Sequence, residues 1–181
     1  MKVRPTPGYI VWSDADVEAY HQRWPLGTRA RVALELLRET GLRRGDVVRV
    51  GPSHVIDGVL RVVTRKTREP VSIAVSDTLA QAIEAGPTGE TFIIGENGGA
   101  LTPHSFGEWF KKWSNAAGLM KRTAHGLRKA SATALAHDGW SESELEARFG
   151  WRGGGMASLY TKSAERERLS LNASARTRKV P

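Results

Sequence analysis

The chain has no cysteine, no apolar run of membrane-spanning length and fewer acidic than basic residues. Without thiols it has neither a disulfide framework nor a thiolate metal site. No stretch approaches the roughly 20 apolar residues that cross a bilayer as a helix. Met1-Lys2-Val3-Arg4 is followed by proline and glycine, not by the apolar stretch of a secretory leader. These features fit a cytoplasmic protein. His54, His104 and His137 show no metal-ligand spacing and no accompanying carboxylate cluster. Gly95 to Gly99 lacks the Lys-Ser/Thr ending of a phosphate-binding loop.

What is present is basic charge on an otherwise ordinary globular composition. Lysine and arginine number 27 against 19 Asp and Glu, a formal net charge of +8 that favours a polyanionic partner, nucleic acid being the commonest. Charge alone does not separate a DNA enzyme from a ribosomal or membrane-surface protein. The 181 residues are 40% hydrophobic and 25% charged, enough for one domain with a real core.

Local signals predict a mainly α domain with one small antiparallel sheet. Ser13-Asp14-Ala15-Asp16 opens a helix through Tyr20 as a capping box. Thr28 to Thr40 is amphipathic, with Gly41 as its stop, and a short helix is expected near Asp46. His54–Ile56, Leu60–Thr64 and Pro70–Val75 are rich in β-branched residues, joined by Asp57-Gly58 and by a charged turn from Arg65 to Glu69. Ser76 caps a helix to Ala85, and Phe92–Ile94 is expected as a brief strand. Thr102-Pro103, His125 and Ser141 begin three further helices. Trp109, Phe110 and Trp113 recur at helical spacing, the pattern of a core. Gly153-Gly154-Gly155 breaks the chain before Tyr160, and residues 173–181 are expected as a basic, mobile tail.

Six residues stand in a telling order. Arg43 lies in Thr40-Gly41-Leu42-Arg43, Lys66 in the charged turn, and His125 and Arg128 in His125-Gly126-Leu127-Arg128. Trp151 follows Phe149-Gly150, and Tyr160 lies in Leu159-Tyr160-Thr161. This ordered set, over roughly residues 10 to 172, resembles the catalytic domain of the tyrosine recombinases, the phage integrase family. The resemblance implies an α+β domain, mainly helical with a three-stranded antiparallel sheet. It also implies a site-specific DNA recombinase working through a 3′-phosphotyrosyl intermediate, without metal or nucleotide cofactor, in a bacterial or phage setting. Its partner would be double-stranded DNA, with self-association on DNA up to a synaptic tetramer and no membrane.

The chemistry explains why such residues are needed. Tyrosine has a pKa near 10, so making its phenolate at pH 7 costs roughly 4 kcal/mol before phosphoryl attack begins. Cations around the phosphate must lower that barrier, and arginine suits the task because its planar fork holds two oxygens and stays charged. The resemblance assigns Tyr160 as nucleophile, Arg43 and Arg128 as clamps on the non-bridging oxygens, and His125 as proton acceptor or hydrogen-bond donor. His125 and Arg128, three apart, share one helix face. Trp151 stands where many relatives carry histidine; its indole N–H can bond a phosphate oxygen while the ring packs. Lys66, placed by topology in the hairpin turn, would protonate the leaving 5′-oxygen. Asp46, three residues after Arg43, either holds that guanidinium or caps a helix.

Relatives usually carry an N-terminal helical domain that closes around DNA, and residues 1–172 correspond to the catalytic domain without it. As an excised fragment or a minimal form, the chain is expected to bind DNA weakly, with a shallow salt dependence. Two rival readings remain: DNA relaxation of the type IB topoisomerase kind, and a non-cutting DNA-binding remnant that regulates excision. The spacing from Phe149-Gly150-Trp151 to Tyr160 favours the integrase branch, and the complete catalytic set argues against a remnant.

Overall fold

A computed structural model of the chain describes residues 8–153 and 155–177. Its order is α1 (Asp14–Arg23), α2 (Arg29–Thr40), α3 (Arg44–Val47), a 3₁₀ turn (Pro52–His54), β1 (Val55–Ile56), β2 (Val59–Val63) and β3 (Pro70–Ala74). Then come α4 (Asp77–Ala85), α5 (Pro103–Ala116), α6 (Ala124–His137), α7 (Glu142–Phe149) and α8 (Met156–Thr177). Among the described residues no helix is long and apolar enough to cross a membrane.

The caps do what their residue types dictate. Asp16 N–H donates to Ser13 Oγ while Ser13 N–H donates to Asp16 Oδ2 at 2.8 Å, satisfying two otherwise orphaned donors of α1. Ser141 and Glu144 form the same box on α7, while Thr28, Ser76, Thr102 and Thr123 each accept one first-turn N–H of α2, α4, α5 and α6. Gly41 ends α2 in the left-handed region at φ 63°, and a Cβ there would meet the Phe149 ring at 2.4 Å. Only glycine meets both conditions, so this stop also lets α7 come up against the end of α2.

The central helix is α2, with Ala33, Leu34, Leu36 and Leu37 fully buried. Trp12, Tyr20, Phe106 and Phe110 close the main core around it. Glu35, also fully buried on α2, accepts a hydrogen bond from Arg31 Nε at 2.7 Å, the pairing a buried carboxylate requires. A second, smaller cluster of Ala132, Ala136, Leu145, Phe149, Ala157 and Ala164 joins α6, α7 and α8. Trp151 and Tyr160 pack against this second cluster.

The sheet is antiparallel in the order β1-β2-β3. Leu60 pairs with Ile73 and Val62 with Val71, which buries one face, while Arg61 and Ser72 pair on the exposed face. Asp57 and Gly58 both have positive φ, 52° and 72°, as a two-residue hairpin turn demands.

Several boundaries differ from the sequence-based expectation. His54 belongs to the 3₁₀ turn, and Thr64 leaves β2 because its side chain enters a turn network. Phe92–Ile94 is not a strand: Phe92 N–H bonds Val50 O, and Ile94 forms a single bridge with Ala100. Burial of Phe92 and Ile93, not ladder pairing, holds that segment. Of the aromatic trio on α5, Phe110 is in the core, whereas Trp109 and Trp113 are half-buried and meet edge-on at 5.6 Å. Helix α8 continues to Thr177, past the boundary drawn at 172, so the first part of the expected mobile tail is helical. Residues 178–181 lie outside the described residues.

Candidate active site

Arg43 sits at the N-cap of α3, held by the buried Leu42 before it and the buried Asp46 and Val47 after it. Its side chain is half-buried, and its Nη1 is a buried donor with no hydrogen-bond partner among the described residues. Burial lowers the Arg43 pKa, and the nearby Asp46 charge opposes that shift. A buried unpaired guanidinium nitrogen is costly, and an anion in the adjoining cleft would relieve it.

Arg128 follows His125 by one turn of α6 and is 5% exposed. Its Nη1 donates to Gly41 O and its Nη2 to Phe149 O at 2.9 Å. The guanidinium carbon lies 4.8 Å from the Phe149 ring centroid and 5.5 Å from that of Trp151. Burial, then the Arg43 charge, pushes the Arg128 pKa down to about 9, while Tyr160 and Asp46 pull it up. It remains a cation at neutral pH. Arg128 therefore ties the ends of α2 and α7 together while keeping further donors for a ligand.

His125 lies in the first turn of α6, where Thr123 Oγ1 accepts Gly126 N–H at 3.1 Å. The histidine opens onto the cleft, and the Tyr9 ring covers it at 4.4 Å with a 50° tilt. Burial lowers its pKa below 6.5, and the charges of Arg128, Lys129, Arg43 and Lys66 lower it further. It is accordingly neutral at pH 7 and able to accept a proton.

Tyr160, on the second turn of α8, is half-buried and stacked on Trp151 at 5.6 Å and 6°. Trp151 in turn stacks on Phe149 at 4.7 Å and 16°. The three rings form a column whose lower end is the ring beneath Arg128. Burial raises the Tyr160 pKa, and the Arg128 charge opposes the rise.

Lys66 is exposed in the turn between β2 and β3, and it borders a shallow pocket with Arg43, Arg44 and Asp46. Asp46 corrects the expectation placed on it. It is neither the cap of α3 nor the ion-pair partner of Arg43. Its Oδ1 accepts the Arg65 N–H at 2.8 Å and lies 3.5 Å from Arg49 Nη1. The carboxylate thus anchors the lysine turn to α3 and reaches Arg43 only as a neighbouring charge.

A cleft of about 430 Å³ opens between α3, α5 and α6, lined by Arg43, Arg44, Lys111, Arg122, His125 and Arg128 among others. Such a concentration of cations suits a phosphodiester backbone. Two contributors had no signal in the sequence. Tyr9 reaches His125 because the Ile10 carbonyl lies against Gly126, where a Cβ would stand 2.0 Å away. Thr67 reaches Gly150 O at 2.7 Å across 83 residues.

Residues 17–167 match the model of the phage integrase family. The chain belongs to that family. It is 31% identical over 166 residues to the integrase of Escherichia phage HK022, an alignment that covers 83% of this chain and 46% of that protein. It also superposes on the catalytic core of λ integrase with a TM-score of 0.65 at 25% identity, covering 79% of this chain and 95% of that one. A λ integrase dimer bound to a COC′ core site gives a TM-score of 0.68 at 26% identity, covering 84% of this chain and 47% of that one. The chain thus spans about half the length of the longer relatives it matches.

Proposed function

We propose that this domain cuts and rejoins double-stranded DNA at a specific site, in the cytoplasm of a bacterial cell carrying a phage or other mobile element. Tyr160 Oη attacks the scissile phosphorus, forming a 3′-phosphotyrosyl bond as the bond to the 5′-oxygen breaks. Neutral His125 takes the phenolic proton, and Lys66 donates one to the departing 5′-oxygen. Arg43 and Arg128 hold the non-bridging oxygens as charge builds on them, with the Trp151 indole N–H as a further donor. Attack by the 5′-hydroxyl of a partner duplex reverses the step, and synapsis would bring four copies together.

The observation that carries this reading is that Arg43 and Arg128 line one cationic cleft, with Arg128 over the Trp151 ring that stacks on Tyr160. The decisive experiment incubates the chain with a random-sequence pool of nicked duplexes and looks for protein–DNA adducts on a denaturing gel. Adducts joined through tyrosine to a 3′-phosphate are expected. DNA binding without any adduct would leave a regulatory binder.

Three outcomes follow from the geometry. For kcat/KM, which reports the free protein, cleavage is expected to fall on acidification with a midpoint below 6.5, because only neutral His125 accepts the proton. A rate that does not fall on acidification would remove His125 from that role.

Trp151→His is expected to retain substantial cleavage, since imidazole also donates to phosphate. Trp151→Ala opens a gap in the ring column and should lose on the order of 2–3 kcal/mol of stability along with cleavage. Normal melting and normal cleavage of Trp151→Ala would make the position irrelevant.

Lys66→Ala is expected to be slow on ordinary DNA and near normal when the bridging 5′-oxygen is sulfur, a leaving group that needs little protonation. An equal defect on both substrates would indicate charge neutralisation alone. No defect on either would point to Arg65 or Arg68.

A further inference from the structure

The turn that carries Lys66 is exposed, and an exposed lysine side chain samples many rotamers. General acid catalysis needs its ammonium at one place, within hydrogen-bond reach of a single oxygen. The turn itself is nevertheless closely held. At its first residue, Arg65 N–H is fixed by Asp46 Oδ1 on α3.

On the other side of Lys66, Thr67 Oγ1 donates to Gly150 O at 2.7 Å. Its one proton is then committed, so in the 2.8 Å contact with Thr64 Oγ1 the donor must be Thr64. Thr64 Oγ1 in turn accepts Glu69 N–H at 3.2 Å, closing the turn on itself. Arg152 and Glu69 pair across the same junction.

The acceptor is well placed for a coupling role. Gly150 is the left-handed C-cap of α7 at φ 58°, and a Cβ there would meet Thr64 Cγ2 at 2.9 Å and Val71 Cγ2 at 3.0 Å. The absent side chain lets the sheet approach closely enough for Thr67 to reach the carbonyl. Gly150 also directly precedes Trp151, whose ring stacks on Tyr160. One side of the lysine turn is thus tied to α3, whose N-cap is Arg43, and the other to the segment that supports the proposed nucleophile.

We infer that Thr67 is a positioning residue that sets Lys66 relative to the Trp151–Tyr160 segment, through the hydrogen bond from its hydroxyl to the Gly150 carbonyl. This rests on the proposed role of Lys66 as proton donor. Thr67 touches no reacting atom and acts through the turn.

The test uses a nicked duplex recovered by adduct selection from the random-sequence pool, made with either oxygen or sulfur at the mapped bridging position. Thr67→Val keeps the shape of the side chain and removes the hydroxyl. It is expected to slow single-turnover cleavage about tenfold on the oxygen substrate, a modest misplacement of the acid, and to be near normal on the sulfur substrate. Thr67→Ser should restore most of the rate on oxygen, with DNA binding unchanged for both variants.

A Thr67→Val protein as fast as the parent on oxygen would overturn the inference. So would one equally slow on both substrates, because a general loss of structure does not depend on the leaving group. Lys66→Ala, run alongside, separates the two levels. If Lys66→Ala is itself equally slow on both substrates, the proton-donor reading fails and the inference falls with it. If Lys66→Ala is rescued by sulfur and Thr67→Val is not, only the inference falls. Failure to recover any adduct from the pool would overturn both.

Discussion

Tyr160→Phe is expected to abolish covalent attachment to DNA while leaving folding and DNA affinity close to those of the parent. The substitution removes one hydroxyl and no charge, so the cations of the cleft still meet phosphate. The ring remains, and with it the 5.6 Å stack on Trp151 that seats α8 against the second core cluster. Unfolding should therefore shift by no more than about 1 kcal/mol, the size of one ordinary hydrogen bond. The measurement is adduct formation on a denaturing gel, beside a melting curve and a binding titration. If an adduct persists, Tyr9 becomes the candidate, because its ring lies 4.4 Å from His125 at the cleft. Tyr20 does not, being fully buried with its hydroxyl on Ala30 O.

The second large effect separates two arginines that look alike in sequence. Arg128→Ala should lose both cleavage and stability. It leaves Gly41 O and Phe149 O without their buried donors, and it empties the space over the Phe149 ring. Unsatisfied buried carbonyls and lost packing together should cost about 3 kcal/mol, with cleavage reduced on the order of a hundredfold or more. Arg128→Lys keeps a charge but cannot span both carbonyls with a planar fork, so recovery should be partial.

Arg43→Ala should lose cleavage to a similar degree and melt close to the parent, because its Nη1 bonds no partner among the described residues. Single-turnover cleavage and thermal unfolding of the three variants decide the matter. A normal melting curve for Arg128→Ala would contradict its bridging role. Unaltered cleavage in either alanine variant would exclude that arginine from the site.

The contrast shows where sequence reading stops. Thr40-Gly41-Leu42-Arg43 and His125-Gly126-Leu127-Arg128 both mark an arginine, and both arginines line one cleft. Nothing local to Arg128 reveals that two of its donors are spent on carbonyls 87 and 21 residues away. Asp46 is similar. Its spacing from Arg43 suggested a helical pair, but α3 is only four residues long and the carboxylate turns to the Arg65 amide 19 residues on. Phe92–Ile94 carried β-branched and aromatic residues yet found no strand to pair with, so burial decided its conformation instead.

By itself the sequence determined the starts of α1, α2, α4, α5 and α7, the hairpin at Asp57-Gly58 and the order of the six candidate residues. Those features are written in short-range terms: a side-chain oxygen three residues before an orphan N–H, a glycine where φ must be positive, an apolar period. Only the tertiary structure decided which donors remain free, which rings stack and what holds the lysine turn. Each of these depends on contacts between residues far apart in the chain, and their geometry is set by how α2, α6, α7 and the sheet pack around Gly41 and Gly150. A close approach of two backbones is a property of the packed whole, so no spacing along the chain could have announced it.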